Sequence, residues 1–360
     1  TLKDYRQTIQ WLYQNGSAVI RYRTATELTG ENNPVYPVDR LEHDLLADPT
    51  MQACLECLLP NTSFNGIHSS KDTAFENAAG RLINLGCRAG MQPFDERMQP
   101  FRQWLADGAN QDLENMGWDF NRSQVAAMLA MAGYRDEAVI TEINNRLARI
   151  AAFTHLGDFD LYVDPADCPA LPTAYRGRSL LDPRLYPHDY LRLPTIHDIH
   201  AFAYAPWIVE NPVSHVQLES ILEYIANPAY QRLKVGHSII LASNEHYYSL
   251  GWDVSLPGYW VFDRESNPDN EGMLVQRVEL AAHFSWFHSH PWLGTALAHL
   301  ENFRTIEGTY KFPRQYLKET SGYWVNGAHM GLGENRRTKN WLELESTFRM
   351  LKILRLVGSM

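Results

Sequence analysis

Three short segments hold the histidines whose spacing best suits proton chemistry. TIHDIHAF supplies His197, Asp198 and His200; FHSHPW supplies His288 and His290; NGAHMG supplies His329. Imidazole titrates near neutrality, which makes it the usual general acid or base. His197 and His200, three residues apart, share a face if their segment is helical. His288 and His290, two apart, share one only in an extended segment, which the following Pro291 favours. Convergence of the two pairs would make a divalent-metal site, since imidazole suits Zn, Fe, Ni or Cu. Otherwise no cofactor and no metal is predicted.

Acids and aromatics share that half of the chain. Asp253 in LGWDVSLPGYW lies among aromatic residues, where burial would raise its pKa as an acid catalyst requires. Glu245-His246-Tyr247-Tyr248 mixes acid, base and phenol, and Tyr248 stands with Asp253 as a catalytic helper. The chain has Trp 10, Tyr 18 and Phe 14, and half of these fall within 195–330. Tyr204, Trp207, Tyr247, Trp252, Trp260, Trp286, Trp292 and Trp324 are the expected substrate-binding set, because such rings bury large areas and offer π-faces to planar or cationic ligands. Plain core filling is the competing reading of the same residues.

Other constellations carry less. Asp158, Asp160, Asp164 and Asp167 lie close together but lack the Gly and Glu of an EF-hand loop, and read as a solvated turn. Cys54 and Cys57 form a C-x-x-C without a second pair or a nearby His pair, and read as buried thiols on a helix face. Nucleotide-binding loops, H-E-x-x-H and G-x-S-x-G are all absent from the sequence.

These residues need a scaffold, and the 360-residue chain is long enough for a sizeable core. A net charge of −10 argues against a nucleic-acid or anionic-membrane surface. No apolar run is long enough to span a bilayer. Four Cys and a polar TLKDYRQTIQ start without an apolar leader make a reduced, cytoplasmic protein the expectation. Helical periodicity predicts helices over 1–30 with a break at Asn15-Gly16, over 40–47 behind Asp39, and from Pro49 behind Asp48. It continues over 74–86 behind Asp72, 94–106, from Asn121 or Ser123 to about 132, and 136–152. Further helices fall at 215–226, 230–235, 274–287, 293–306 and 339–356, with short strands at HSIILAS and GYWVFD. Residues 154–195 break the pattern and read as an ordered excursion rich in Pro, Asp and Tyr.

Helix, short turn, helix, repeated, is the pattern of stacked helical hairpins. With that period, GYWVNGAHMGLGENRR (322–337) and WLELESTFRMLKILRL (341–356) resemble the terpenoid cyclase/protein prenyltransferase superfamily, specifically bacterial squalene-cyclase- or prenyltransferase-like α/α toroids. EGTYKFP and SGYWVNG are similar to the turns that end outer helices there. The resemblance implies an all-α toroid over 1–360 as a single domain, with 154–195 covering one mouth of the ring. It carries over no catalytic residue: D-x-D-D is missing, Asp158-Phe-Asp160-Leu being nearest, and no zinc-site motif aligns.

The expectation is an enzyme of lyase, isomerase or cyclase type without a redox cofactor. It would bind a bulky apolar or aromatic small molecule in a central cavity and use His197, His200, His288, His290 or His329 for acid/base steps. One alternative is a carbohydrate-active toroid with paired carboxylates, Asp253 with Asp198 or Glu245. The other is a non-catalytic ligand-binding or scaffold toroid, with aromatics in its cavity and no convergent polar groups.

Overall fold

The computed structural model describes residues 5–29, 34–108, 116–164, 166–233, 238–251, 253–260 and 271–360. Among them the chain is mostly helical, with one two-stranded ribbon, and the contacts fall into two compact units.

The first unit holds 1–61, 68–97 and 257–360. It contains α1 (Arg6–Asn15), α2 (Ala18–Arg23) with a π-turn over Thr24–Thr29, α3 (Val38–Leu46) and α4 (Pro49–Cys57). α5 (Phe64–Ile67) belongs to the second unit, and α6 (Phe75–Asn84) to the first. The expected break at Asn15-Gly16 separates α1 from α2, and Ser17 caps α2. Asp48 caps α4 through the Thr50 and Met51 N–H groups, with Pro49 filling the first position, where a missing N–H costs nothing. Asp39 lies one residue inside α3, whose cap position is Pro37. Asp72 caps nothing: α6 starts behind Ala74, and the Asp72 carboxylate accepts instead from the Ser321 hydroxyl. Gly86 closes α6, at φ +105°, letting the Cys87 N–H reach back to Leu82 O.

The second unit holds 62–67 and 98–256. α7 (Gln92–Gly108) enters it from Met98, followed by α8 (Met116–Met131) and α9 (Glu137–Thr154). α8 begins before the expected Asn121 or Ser123, because Ser123 turns its hydroxyl onto Asp119 O inside the helix rather than capping one. Gly133, at φ +95°, makes the tight turn that folds α9 back on α8. α10 (Ile196–Ala203) packs on α8, and α12 (Pro212–Ala226) packs on α9, with α11 (Pro206–Glu210) between them in sequence. The expected helix 230–235 is a single 3-10 turn, Tyr230–Arg232.

β1 (Ser238–Leu241) matches the expected strand, but its antiparallel partner is β2 (Tyr247–Leu250), with Ile240 opposite Tyr248. Of GYWVFD, residues 258–260 form turns, and the remainder lies outside the described residues. The described part of the 154–195 excursion is ordered: Tyr162 pairs with Leu181, Leu180 pairs with Ile239, and three 3-10 turns punctuate it.

Back in the first unit, α13 (Glu271–Ala282) ends before the expected 287, and α14 (Ser285–His288) and α15 (Pro291–Glu301) follow. α16 (Trp341–Leu356) packs against α13 and α1. Its buried face carries Leu344, Phe348, Leu351 and Ile353 at helical spacing, with Glu345 and Arg349 buried among them. Among the described residues no helix is long and apolar enough to cross a membrane.

Candidate functional site

In the first unit, two backbone segments run antiparallel on either side of the SGYWVNG turn. Met330 N–H donates to Lys318 O, Thr320 N–H donates to Ala328 O, and Glu319 faces His329 directly across the pair. Residues opposed in this way project on the same side. The consequence is a carboxylate–imidazole couple, with Glu319 Oε1 3.5 Å from His329 Nδ1. Arg81, from α6, places a guanidinium 2.9 Å from the same Oε1, and the Gly331 N–H donates to Oε2 at 2.9 Å. Burial by itself would raise the Glu319 pKa, but His329, Arg81 and the Gly331 N–H together outweigh it and lower it. Glu319 is therefore ionised at neutral pH.

The opposite nitrogen, His329 Nε2, lies 3.9 Å from Asp72 Oδ1. The imidazole is 2% exposed while the Asp72 side chain is 44% exposed, so the ring is walled in and opens toward water on the Asp72 side. Nδ1 faces an ionised acceptor, so the Glu319 side selects the tautomer protonated at Nδ1. That leaves Nε2 able to accept a proton, an arrangement in which a base can be oriented by a third group. Both separations are long for hydrogen bonds, as is common in sites without substrate. Gly331 allows the close approach of Glu319: a Cβ there would lie 2.6 Å from Oε2 and push the carboxylate aside.

A second imidazole borders the same segments. His68 Nδ1 lies 2.8 Å from Glu76 Oε2, and its ring stacks on Tyr323 at 4.9 Å between centroids. Asn77 ties the two segments together, donating to Ser69 O and Lys71 O and accepting the Trp324 N–H. Trp324 itself is buried against Gly80 and accepts from Gln276 through its carbonyl. Glu319, Arg81 and His68 carry no signal of their own in the sequence, and Asp72 reads there only as a helix cap. The Gly-rich turn that folds 319 back onto 329 is the one local signal that pointed there.

The other expected residues of the first unit lie in a different set of contacts. His290 caps α15, its Nδ1 accepting the Trp292 N–H, and its ring lies between Trp286 at 5.4 Å and Tyr259 at 6.4 Å. Burial among these rings lowers its pKa. His288 is exposed and its Nε2 lies 2.9 Å from Ala282 O. Trp292 donates its indole N–H to Pro257 O, and Trp260 is exposed, edge-on to Tyr259.

In the second unit, His197 and His200 are both buried on α10, with Phe120 edge-on to His197 at 5.6 Å. Between them Asp198 completes a capping box with Thr195 and takes two hydrogen bonds from Arg146, at 2.9 and 2.7 Å. Burial would raise its pKa; Arg146 and Thr195 outweigh that and lower it. With its acceptor positions filled, Asp198 holds structure. Asp119, Phe120, Ser123, Arg146, Leu191, Thr195 and Leu250 line a small neighbouring recess of ≈ 20 Å³.

Trp207 donates to Asn144 Oδ1 and lies under the Arg135 guanidinium, which also donates to Tyr204 O. Tyr247 meets Tyr175 ring to ring at 5.9 Å, and Tyr248 accepts at its hydroxyl from Asn244. Asp253 is half-buried and helps raise the Tyr230 phenol, though burial of that phenol is the larger cause. Trp252 lies outside the described residues. Among the described residues no group of three or more His, Cys, Asp or Glu has the geometry to hold a metal ion. No protein-family model, curated protein or solved structure matches this chain.

Proposed function

We propose that the protein is an enzyme that carries out acid/base chemistry on a small molecule, with His329 as the proton carrier. The observation that supports this most directly is the buried imidazole held between the Glu319 carboxylate and Asp72. Glu319 orients the ring and balances the imidazolium that forms when Nε2 takes a proton from substrate. Return of that proton to another substrate atom is an isomerisation; its loss to water by way of Asp72, with departure of a leaving group, is an elimination. Positioned acid/base groups of this kind contribute roughly 10²–10⁴-fold in rate.

A bulky apolar or aromatic substrate fits the same reading, with the half-buried Tyr323 ring, stacked on His68 on one face, as a stacking surface on the other. So does closure of the helical hairpins into an α/α toroid with the 154–195 excursion over one mouth, as in terpenoid cyclase-like proteins. Short turns such as that between α8 and α9 support it. A carbohydrate-active enzyme is the second reading, favoured by two carboxylates, Asp72 and Glu319, on either side of one ring.

The test is substrate depletion from a panel of polyprenyl, aromatic and glycosidic compounds, comparing the protein with His329→Gln. Turnover that falls by about 10²-fold or more supports His329 as proton carrier. Undiminished turnover in folded His329→Gln refutes it. Whether the depleted compound is a glycoside decides between the two readings.

A further inference from the structure

We propose that Asn84 is the positioning residue for His329, coupling it to a closed ring of charges in the first unit; the inference rests on His329 being the proton carrier. Asn84 is the last residue of α6, and three of its polar atoms are engaged. Its Nδ2–H donates to His329 O at 2.8 Å, its Oδ1 accepts from Arg349 Nη2 at 2.9 Å, and its backbone O accepts from Arg23 Nη1 at 2.5 Å. Arg349 Nη2 also donates to Met330 O at 2.8 Å, so two successive carbonyls of the His329 segment are held from one direction.

The ring closes behind Asn84. Arg349 Nη1 donates to Glu279 at 2.8 Å, Lys352 Nζ lies 2.7 Å from Glu279 and 3.1 Å from Glu27, and Glu27 pairs with Arg23 at 2.5 Å. Burial would raise both carboxyls. Arg23 and Lys352 overcome it to hold Glu27 at about 2, and Lys352 and Arg349 hold Glu279 well below the usual range. The network therefore stays charged at neutral pH.

Buried ion networks of this kind add little net stability, because desolvation offsets the attraction. Their physical effect is geometric: three cations and two carboxylates, drawn from the helix α2, the π-turn after it, α13 and α16, fix one asparagine. That asparagine fixes the backbone of the histidine. The Nδ1–Glu319 separation of 3.5 Å lies at the edge of hydrogen-bond reach, so a small rotation of residue 329 makes or breaks the couple.

Imidazole titration followed by NMR tests this without substrate, so it fails independently of the activity assay on His329→Gln. In Asn84→Ala the His329 midpoint is expected to move by about half a pH unit or more as its distance to Glu319 changes. The His68 midpoint serves as the internal reference and is expected to hold. Asn84→Asp keeps the acceptor for Arg349 and removes the donor to His329, and is expected to move the His329 midpoint as well. Reduced turnover should then lie in kcat rather than KM. An unmoved His329 titration in either folded variant overturns the proposal. In the unmutated protein, the Asn84 side-chain amide is expected to exchange slowly with solvent, and rapid exchange overturns it equally.

Discussion

Replacing Glu345 by Gln should make the protein gain stability relative to the unmutated chain as pH rises. Glu345 lies on α16 at 1% exposure, and its Oε1 accepts the N–H groups of Leu332 and Glu334. Its Oε2 has no hydrogen-bond partner among the described residues. Burial pushes its pKa up from 4.5 to about 7, against the lowering pull of those N–H groups, Arg336 and Arg349. A carboxyl raised in the folded state binds its proton more tightly there than in the unfolded chain. Its contribution is therefore fully present below about pH 4.5 and is lost as pH rises through about 7. At about 1.4 kcal/mol per pH unit, the loss amounts to about 3 kcal/mol.

Glu345→Gln mimics the protonated acid at every pH and abolishes that loss. The stability difference, variant minus unmutated, should rise by about 3 kcal/mol between pH 4.5 and 8.5, most steeply before pH 7. If the chain melts as one body, that is about 4 °C in Tm. Urea unfolding at several pH values measures it, and taking the difference cancels titrations common to both proteins. Any cost of seating the amide is independent of pH and drops out. A difference that stays flat across this range would refute the reasoning.

Two further outcomes follow from packing. Arg146→Met leaves Asp198 buried without its cation and should cost about 3–5 kcal/mol in urea unfolding, while Arg146→Met with Asp198→Asn recovers part of it; equal losses in the single and double variants would contradict the pairing. Gly331→Ala places a methyl 2.6 Å from Glu319 Oε2, the movable end of a side chain, so it should cost less than about 1 kcal/mol yet displace Glu319 and cut turnover by about tenfold or more. Unchanged turnover in that variant would argue against Glu319 as the orienting group.

Much of the secondary structure is legible in the chain because its causes are local. The Asp48-Pro49 start of α4, the stop at Gly86 and the turn at Gly133 each act within a few residues. The errors arise where a polar side chain had distant partners. Asp72 reads as a cap, yet it binds Ser321 and faces His329, some 250 residues away in sequence. Ser123 reads as a helix start, yet it sits inside α8. Tyr247–Leu250 does not stand out as a strand, because pairing with Ser238–Leu241 supplies its hydrogen bonds.

The sequence by itself determined the helical class, several helix boundaries, and His329 as a side chain suited to proton transfer. Periodicity, capping and intrinsic titration are properties of a residue and its near neighbours. Only the tertiary structure decided the company His329 keeps. Glu319 comes from the segment paired antiparallel to that of His329, Arg81 and Asn84 from α6, and Asp72 from the loop before it. An imidazole becomes directional when a carboxylate selects one of its nitrogens, and that selection depends on separations of a few ångströms between segments that no spacing along the chain encodes.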